Sequence, residues 1–290
     1  LDEDGMVRAD FTVFRMEDRC RLVNGADAGP RDQMYMRRVA QDKGFDVTIT
    51  DVTEDYTTIG IWGPNARENL KKVVADPDAL DVANFPFAAI RQIEIAGCKV
   101  MAFRISYVGE QGWELHMRYS DGLAVWDALR GAGVMAVGVE TYANSRRLEK
   151  SLRLQNADLL TQYNLFEADL ARPKVKEPDF VGKAKHVEYR AREHQPAMLC
   201  TLVMTENTDS TGTARYPVGT LPVIDPDTGK VLVDTLGRRS YTTSIAYGPT
   251  VGKNIALAYL PWDYCQLGRK LQVSYFDELY PVEVAGIGYA

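Results

Sequence analysis

The chain changes character near Gln195, and no other feature of the sequence constrains its fold as much. Beyond that point, short apolar runs recur between turn signals: Leu199 to Met204, Leu221 to Ile224, Val231 to Asp234, Ile255 to Leu260 and Leu271 to Phe276. Asp225-Pro226-Asp227-Thr228-Gly229 is one of the turns. Strands with this spacing and no helix among them must bury their apolar sides against one another, which predicts a β-barrel or sandwich.

Before Gln195, strands alternate with helices. Val7 to Met16 and Cys20 to Asn24 read as a hairpin and Gly25 to Pro30 as a turn. Arg31 to Lys43 carries Met34, Met36, Val39 and Ala40 on helical spacing and ends at Gly44. Phe45 to Asp51 and Tyr56 to Trp62 read as strands, after which Gly63-Pro64-Asn65 opens a helix over Ala66 to Val74, its proline where a first turn tolerates one. Ala88 to Ile95, Cys98 to Val108 and Glu114 to Met117 are further strands, and Ser120 to Gly131 is a helix with Asp121 at its positive end. Glu140 to Asn156 has a helical pattern, Pro173 to Gly182 is a loop, and Lys183 to Glu193 is a short helix. Together these elements predict an α+β fold, with ferredoxin-like split βαβ units followed by a C-terminal β-barrel domain. The predicted domains are a central α+β domain (1–50 with 155–195), a ferredoxin-like α+β domain (51–154) and the β-barrel (196–290).

Composition removes several classes of function. With 290 residues, 46% of them hydrophobic, the chain can build two or three cores without disulfide staples. A formal net charge of -6 argues against nucleic acid as a partner, because counterion release needs a basic face; a local basic rim for a small anion is neither shown nor forbidden. No apolar run approaches bilayer length, and Leu1-Asp2-Glu3-Asp4-Gly5 is acidic where a signal or transit peptide would be basic. We therefore expect a soluble protein of the cytoplasm, or of the mitochondrial matrix in a eukaryote, with no membrane partner. Cys20, Cys98, Cys200 and Cys265 form no CxxC pair, and His116, His186 and His194 do not cluster with other ligand types, so no metal site is expected. No Gly-x-Gly-x-x-Gly follows a strand, so no FAD site is expected in this chain. Chemistry is left to carboxylates, tyrosines or a bound cofactor.

Several segments, in order, resemble the aminomethyltransferase superfamily of the glycine-cleavage T-protein. They are Asp4-Gly5 through Ala9-Asp10-Phe11-Thr12-Val13, Trp62-Gly63-Pro64-Asn65-Ala66-Arg67, Ser106 through Leu115, Arg147-Leu148-Glu149-Lys150, Phe166-Glu167-Ala168, Asp179-Phe180-Val181-Gly182 and Gly252 through Ala258. Tyr107-Val108-Gly109-Glu110-Gln111-Gly112-Trp113-Glu114-Leu115, with Leu148-Glu149-Lys150, is most similar to the folate-binding C-terminal half of dimethylglycine and sarcosine dehydrogenases. The resemblance implies three domains in a cloverleaf around a folate channel. Relatives carry several dozen residues ahead of Asp4-Gly5, so the first domain would be incomplete, and the dehydrogenases add a flavin domain before that.

The same resemblance implies tetrahydrofolate as cofactor, a small methylated amine or related methyl donor as substrate, a flavin domain or subunit as partner, and transfer of a one-carbon unit onto a folate amine. Asp10 matches the acid that orients this amine and stabilises a nearby iminium cation. On its own it reads more readily as a strand-end aspartate satisfied by a turn, and the surrounding motif reverses that reading. Glu114 matches the glutamate that grips the pterin, whose adjacent N–H groups a carboxylate can accept in bidentate fashion. A solvated acid on an edge hairpin is the plain alternative. Tyr107 matches a tyrosine near that pocket, and Val23 and Asn24 match a strand end lining the folate, which a plain hairpin end explains equally well. Arg147 is a candidate cofactor-binding residue in the Arg147-Leu148-Glu149-Lys150 segment, where a solvated charged helix face is the competing explanation. There are departures from the family pattern. Leu165 stands where relatives have proline, Asp169 where they have glycine, and Ala143 where the T-protein has an arginine near its substrate. Three functions fit: the folate half of a demethylating flavoenzyme, a stand-alone folate-dependent O-, S- or N-demethylase, and a non-catalytic folate-binding module.

Overall fold

The computed structural model describes residues 1–288, which separate into two compact units: Phe11–Gly138, and Leu1–Asp10 together with the chain from Val139 onward. In the first unit, β1 (Thr12–Arg15) and β2 (Cys20–Val23) form an antiparallel hairpin with Val13 opposite Leu22. Helix α1 (Gly29–Asp42) follows, with Pro30 in its first turn. The strand expected over Phe45 to Asp51 is absent. Phe45 and Val47 are 57% and 58% exposed, and no neighbouring strand pairs with this stretch, without which β-propensity does not make a strand.

The rest of this unit is one α+β layer pair. It contains β3 (Tyr56–Trp62), α2 (Ala66–Lys71), β4 (Ile90–Ile95), β5 (Cys98–Phe103), β6 (Gly112–Arg118) and α3 (Gly122–Gly131). The sheet is antiparallel in the order β3-β6-β5-β4, so β3 and β4, joined through α2, are split by two inserted strands. Helix α2 stops short of the predicted Val74, which instead bridges Ile95 at the sheet edge. Strand β5 stops short of Val108, because the Ser106 hydroxyl accepts from the Val108 and Glu110 N–H groups and turns the chain. Trp113, Leu115 and Met117 alternate along β6 into a core with Leu70, Phe85, Ile95, Val125 and Leu129. By the same period of two, Glu114 and His116 face the other way.

In the second unit, the helix expected over Glu140 to Asn156 is confined to 139–148 and contains a π-helical stretch, Thr141–Arg146. The leucine spacing continues, but Arg147 donates to the Leu152 carbonyl, and Ser151 takes a positive φ of 52°, so the chain folds back. Helix α4 (Lys183–Arg190) precedes the strands β7 (Ala197–Met204), β8 (Val223–Asp225), β9 (Lys230–Val231), β10 (Thr242–Gly248), β11 (Lys253–Pro261), β12 (Lys270–Tyr275) and β13 (Glu278–Ile287). These form a seven-stranded sheet, β10-β11-β7-β13-β12-β8-β9. Bonds from Thr242 N to Leu221 O and from Val223 N to Ser240 O bring the β10 edge back to β8, one strand in from the other edge, and curl the sheet toward a barrel. Strands β10 and β13 were not among the expected runs. Pro281 argues against a central strand, yet the pairing of β13 with β7 covers only Val282 to Ile287. Strands β7 and β11 are buried on both faces. Cys200, Leu202, Met204, Ala256, Ala258 and Leu260 fill the barrel, while Leu199, Ile255, Leu257 and Tyr259 pack with Val7, Leu148 and Tyr163 outside it.

Candidate functional site

The outward face of the β3-β6-β5 sheet carries an acid in aromatic surroundings. Strand pairing sets Glu114 of β6 opposite Gly60 on β3 and Phe103 on β5, and sets His116 opposite Thr58 and Met101. The Trp62 indole lies across this face. A Cβ on Gly60 would come 1.9 Å from Trp62 Cη2, and one on Gly112 would come 2.1 Å from the Ile61 carbonyl oxygen and 2.4 Å from Trp62 Cδ1. The two glycines are therefore a floor on which the indole rests, tied down by its N–H bond to Ile105 O at 2.9 Å. Phe14 of the β1-β2 hairpin packs edge-on against Phe103, at 4.7 Å between centroids, and against His116 at 5.4 Å.

Glu114 keeps 19% of its side chain exposed, with Oε2 3.4 Å from His116 Nε2. A carboxylate so placed can accept two parallel N–H donors from a flat heterocycle whose ring faces the aromatic groups. The edge of a reduced pterin has that chemistry, and these residues fit it. Tyr107 is half-buried in the turn from β5 to β6, which Ser106 pins and where Gly109 takes a φ of 73°. Of the two motif glycines, Gly109 supplies the turn and Gly112 the close approach. Val23 ends β2, and the Asn24 side chain donates to buried Asp32 at 3.0 Å, tying the hairpin to α1.

Asp10 and Arg147 belong to the other unit. Asp10 is exposed, in the strandless stretch that follows the Val7 N–H bond to Tyr163 O. Arg147 is wholly buried rather than on a solvated face. Its Nη1 donates to Asp158 Oδ2 at 2.5 Å and to Leu152 O at 2.9 Å, Nε to Ala143 O, and Nη2 to Ser244 Oγ and Asn144 Oδ1. All five guanidinium N–H groups are thus spent on the protein. The loop from Asn164 to Leu170 keeps a tight turn: Asn164 Oδ1 accepts from Phe166 N and Glu167 N, and Asp169 holds a φ of 52°, a conformation that favours glycine. Glu167 is buried and paired with Arg238.

Sequence reasoning missed Phe103, Thr58 and His116 as site residues, and marked Trp62 only as part of a family segment. The signal for the first three is membership of alternate positions facing Glu114, which only the strand register reveals. A concavity of about 460 Å³ between α1 and the chain after it, lined by residues including Arg37, Phe45 and Val47, contains none of the expected site residues. Among the described residues no cluster could hold a metal ion, and no helix is long and apolar enough to cross a membrane.

An α+β unit bearing this acid-and-indole face, followed by a β-barrel, defines a class. Residues 1–174 match the GCVT N-terminal domain, and residues 222–286 match the glycine cleavage T-protein C-terminal barrel domain. The chain belongs to the glycine cleavage T-protein family. It is 30% identical over 291 residues to mitochondrial dimethylglycine dehydrogenase of Homo sapiens, covering 98% of this chain but 31% of that protein. It is also 30% identical to the aminomethyltransferase of Saccharopolyspora erythraea, covering 99% of this chain and 74% of that one. The crystal structure of aminomethyltransferase T of the glycine cleavage system from Bartonella henselae shares the fold, with a TM-score of 0.79 at 19% identity over 100% of this chain and 74% of that one. The chain thus spans less than a third of the dimethylglycine dehydrogenases it matches.

Proposed function

We propose that this chain captures a one-carbon unit from a small methylated amine onto tetrahydrofolate, as the folate module of a demethylating enzyme whose flavin lies in another domain or subunit. The observation that carries the proposal is Glu114, a part-exposed carboxylate beside an indole laid on a glycine floor. Family membership supports it, as does a relative named dimethylglycine dehydrogenase that matches along nearly the whole chain.

In this proposal Glu114 accepts the adjacent N–H groups of the pterin edge, and Tyr107 contributes ring surface or its hydroxyl beside it. Val23 and Asn24 line the folate through a backbone whose position the Asn24 bond to Asp32 holds. When bound, tetrahydrofolate supplies the nucleophilic amine. Asp10 orients that amine, takes up its proton and stabilises positive charge on the donor carbon. Arg147, its donors fully used, acts by holding its segment in place. We extend the proposal to three domains, 1–50 with 155–195, 51–154 and 196–290.

Asp10→Ala tests the catalytic part. Tetrahydrofolate binding should stay near the parental value while one-carbon transfer falls by about 100-fold or more. Equal turnover in the two proteins rejects the role of Asp10. Folate binding without turnover in the parent, with or without a flavin partner, supports a binding module instead.

A further inference from the structure

We propose that His116 is a positioning residue that sets the orientation of the Glu114 carboxylate through a Thr58-His116-Glu114 relay, an inference that rests on Glu114 being the pterin acceptor. His116 is 4% exposed. Its Nδ1 lies 2.9 Å from the Thr58 hydroxyl, and its Nε2, buried and without a well-formed hydrogen bond among the described residues, lies 3.4 Å from Glu114 Oε2. Thr58 has a proton to give. When it donates to Nδ1, a neutral ring carries its own proton on Nε2, the nitrogen that lies 3.4 Å from the Glu114 carboxylate.

The ring cannot easily turn away. Phe14 stands edge-on to it at 78°, and pairing with Thr58 and Met101 holds the strand on both sides. Glu114 and His116 are two residues apart on β6 and therefore share a face. A carboxylate has more acceptor capacity than one N–H uses, so engaging Oε2 with His116 fixes the side-chain torsion and leaves the remaining lone pairs for a ligand. An acceptor oriented before the ligand arrives loses less freedom on binding, so the predicted effect lies in affinity. The sequence motif does not reveal this, because Thr58 and His116 are 58 residues apart in the chain.

The test is calorimetric titration of tetrahydrofolate into the full chain and its variants, with thermal unfolding as the check on folding. His116→Phe keeps a planar ring without donors and should weaken binding about tenfold, the loss expected for a hydrogen bond to a charged group. His116→Gln restores an N–H near the Nε2 position and should recover most of that affinity. His116→Asn places its amide near Nδ1, toward Thr58, and should not. Thr58→Val removes the tautomer lock and should weaken binding in the same direction. In a Glu114→Ala background, His116→Phe should have no further effect. Folded His116→Phe that binds like the parent, Asn rescuing as well as Gln, or an equal loss in the Glu114→Ala background would overturn the relay. Parental affinity in Glu114→Ala alone would instead remove the folate reading of the site, and the relay's role with it.

Discussion

Arg147 and Asp158 meet at 2.5 Å with neither side chain exposed, and the same Asp158 carboxylate also accepts from the Leu154 N–H and the Thr243 hydroxyl. Through this pair the segment after 139 is tied to β10, where Ser244 and Thr243 both take part. A charge pattern that suggested a solvated helix face is in fact an internal joint.

Removing one member leaves the other charged and buried. Arg147→Met or Asp158→Leu should each cost about 3–5 kcal/mol in denaturant unfolding, and the double substitution should cost clearly less than the sum of the singles. Additive losses would show that the two residues are not acting as a pair.

The Trp62 indole needs bare backbone beneath it. Gly60→Ala should displace the ring, cost about 1–3 kcal/mol through overpacking, and shift tryptophan emission to the red as the indole meets water. Gly131→Ala, where an added Cβ meets nothing within 4 Å, should leave both stability and emission near parental. If Gly60→Ala behaves like Gly131→Ala, the indole does not rest on that glycine.

Asp209 in the loop before β8 is held well below the usual carboxylate range. The Thr211 hydroxyl contributes most, then the Thr213 N–H, with desolvation opposing and Arg215 adding to the effect. Because the folded value lies below the unfolded one, the stabilisation is fully present above about pH 4 and is lost as pH falls through the folded value. Asp209→Asn should therefore be less stable than the parent at pH 6, with the gap narrowing steadily below about pH 4 in unfolding series. A gap that is constant with pH would contradict this.

Parts of this fold were legible because local pattern and long-range pairing agree. Tyr56–Trp62 is a strand where its alternation places it, and the runs after Leu199 fall in the barrel. Where they disagree, pairing prevails. Phe45 to Asp51 has strand composition but no neighbour, and Leu148 and Leu152 keep i,i+4 spacing while Arg147 folds the chain back. Strand β13 carries Pro281, which a central strand disfavours, and the sheet accommodates it because β7 pairs only from Val282 onward. On the outward face of the β3-β6-β5 sheet, Glu114, Tyr107 and Trp62 lie in segments that the family resemblance marks, whereas Thr58 and His116 depend on register between strands distant in sequence.

The most direct measurement is the affinity of the chain for tetrahydrofolate, with and without Glu114. Parental protein should bind saturably in calorimetry, and Glu114→Ala should lose about 1–3 kcal/mol, the worth of a hydrogen bond to a charged group together with the donors left unpaired. Equal affinity in parent and variant, or no binding by the folded parent, would contradict the account.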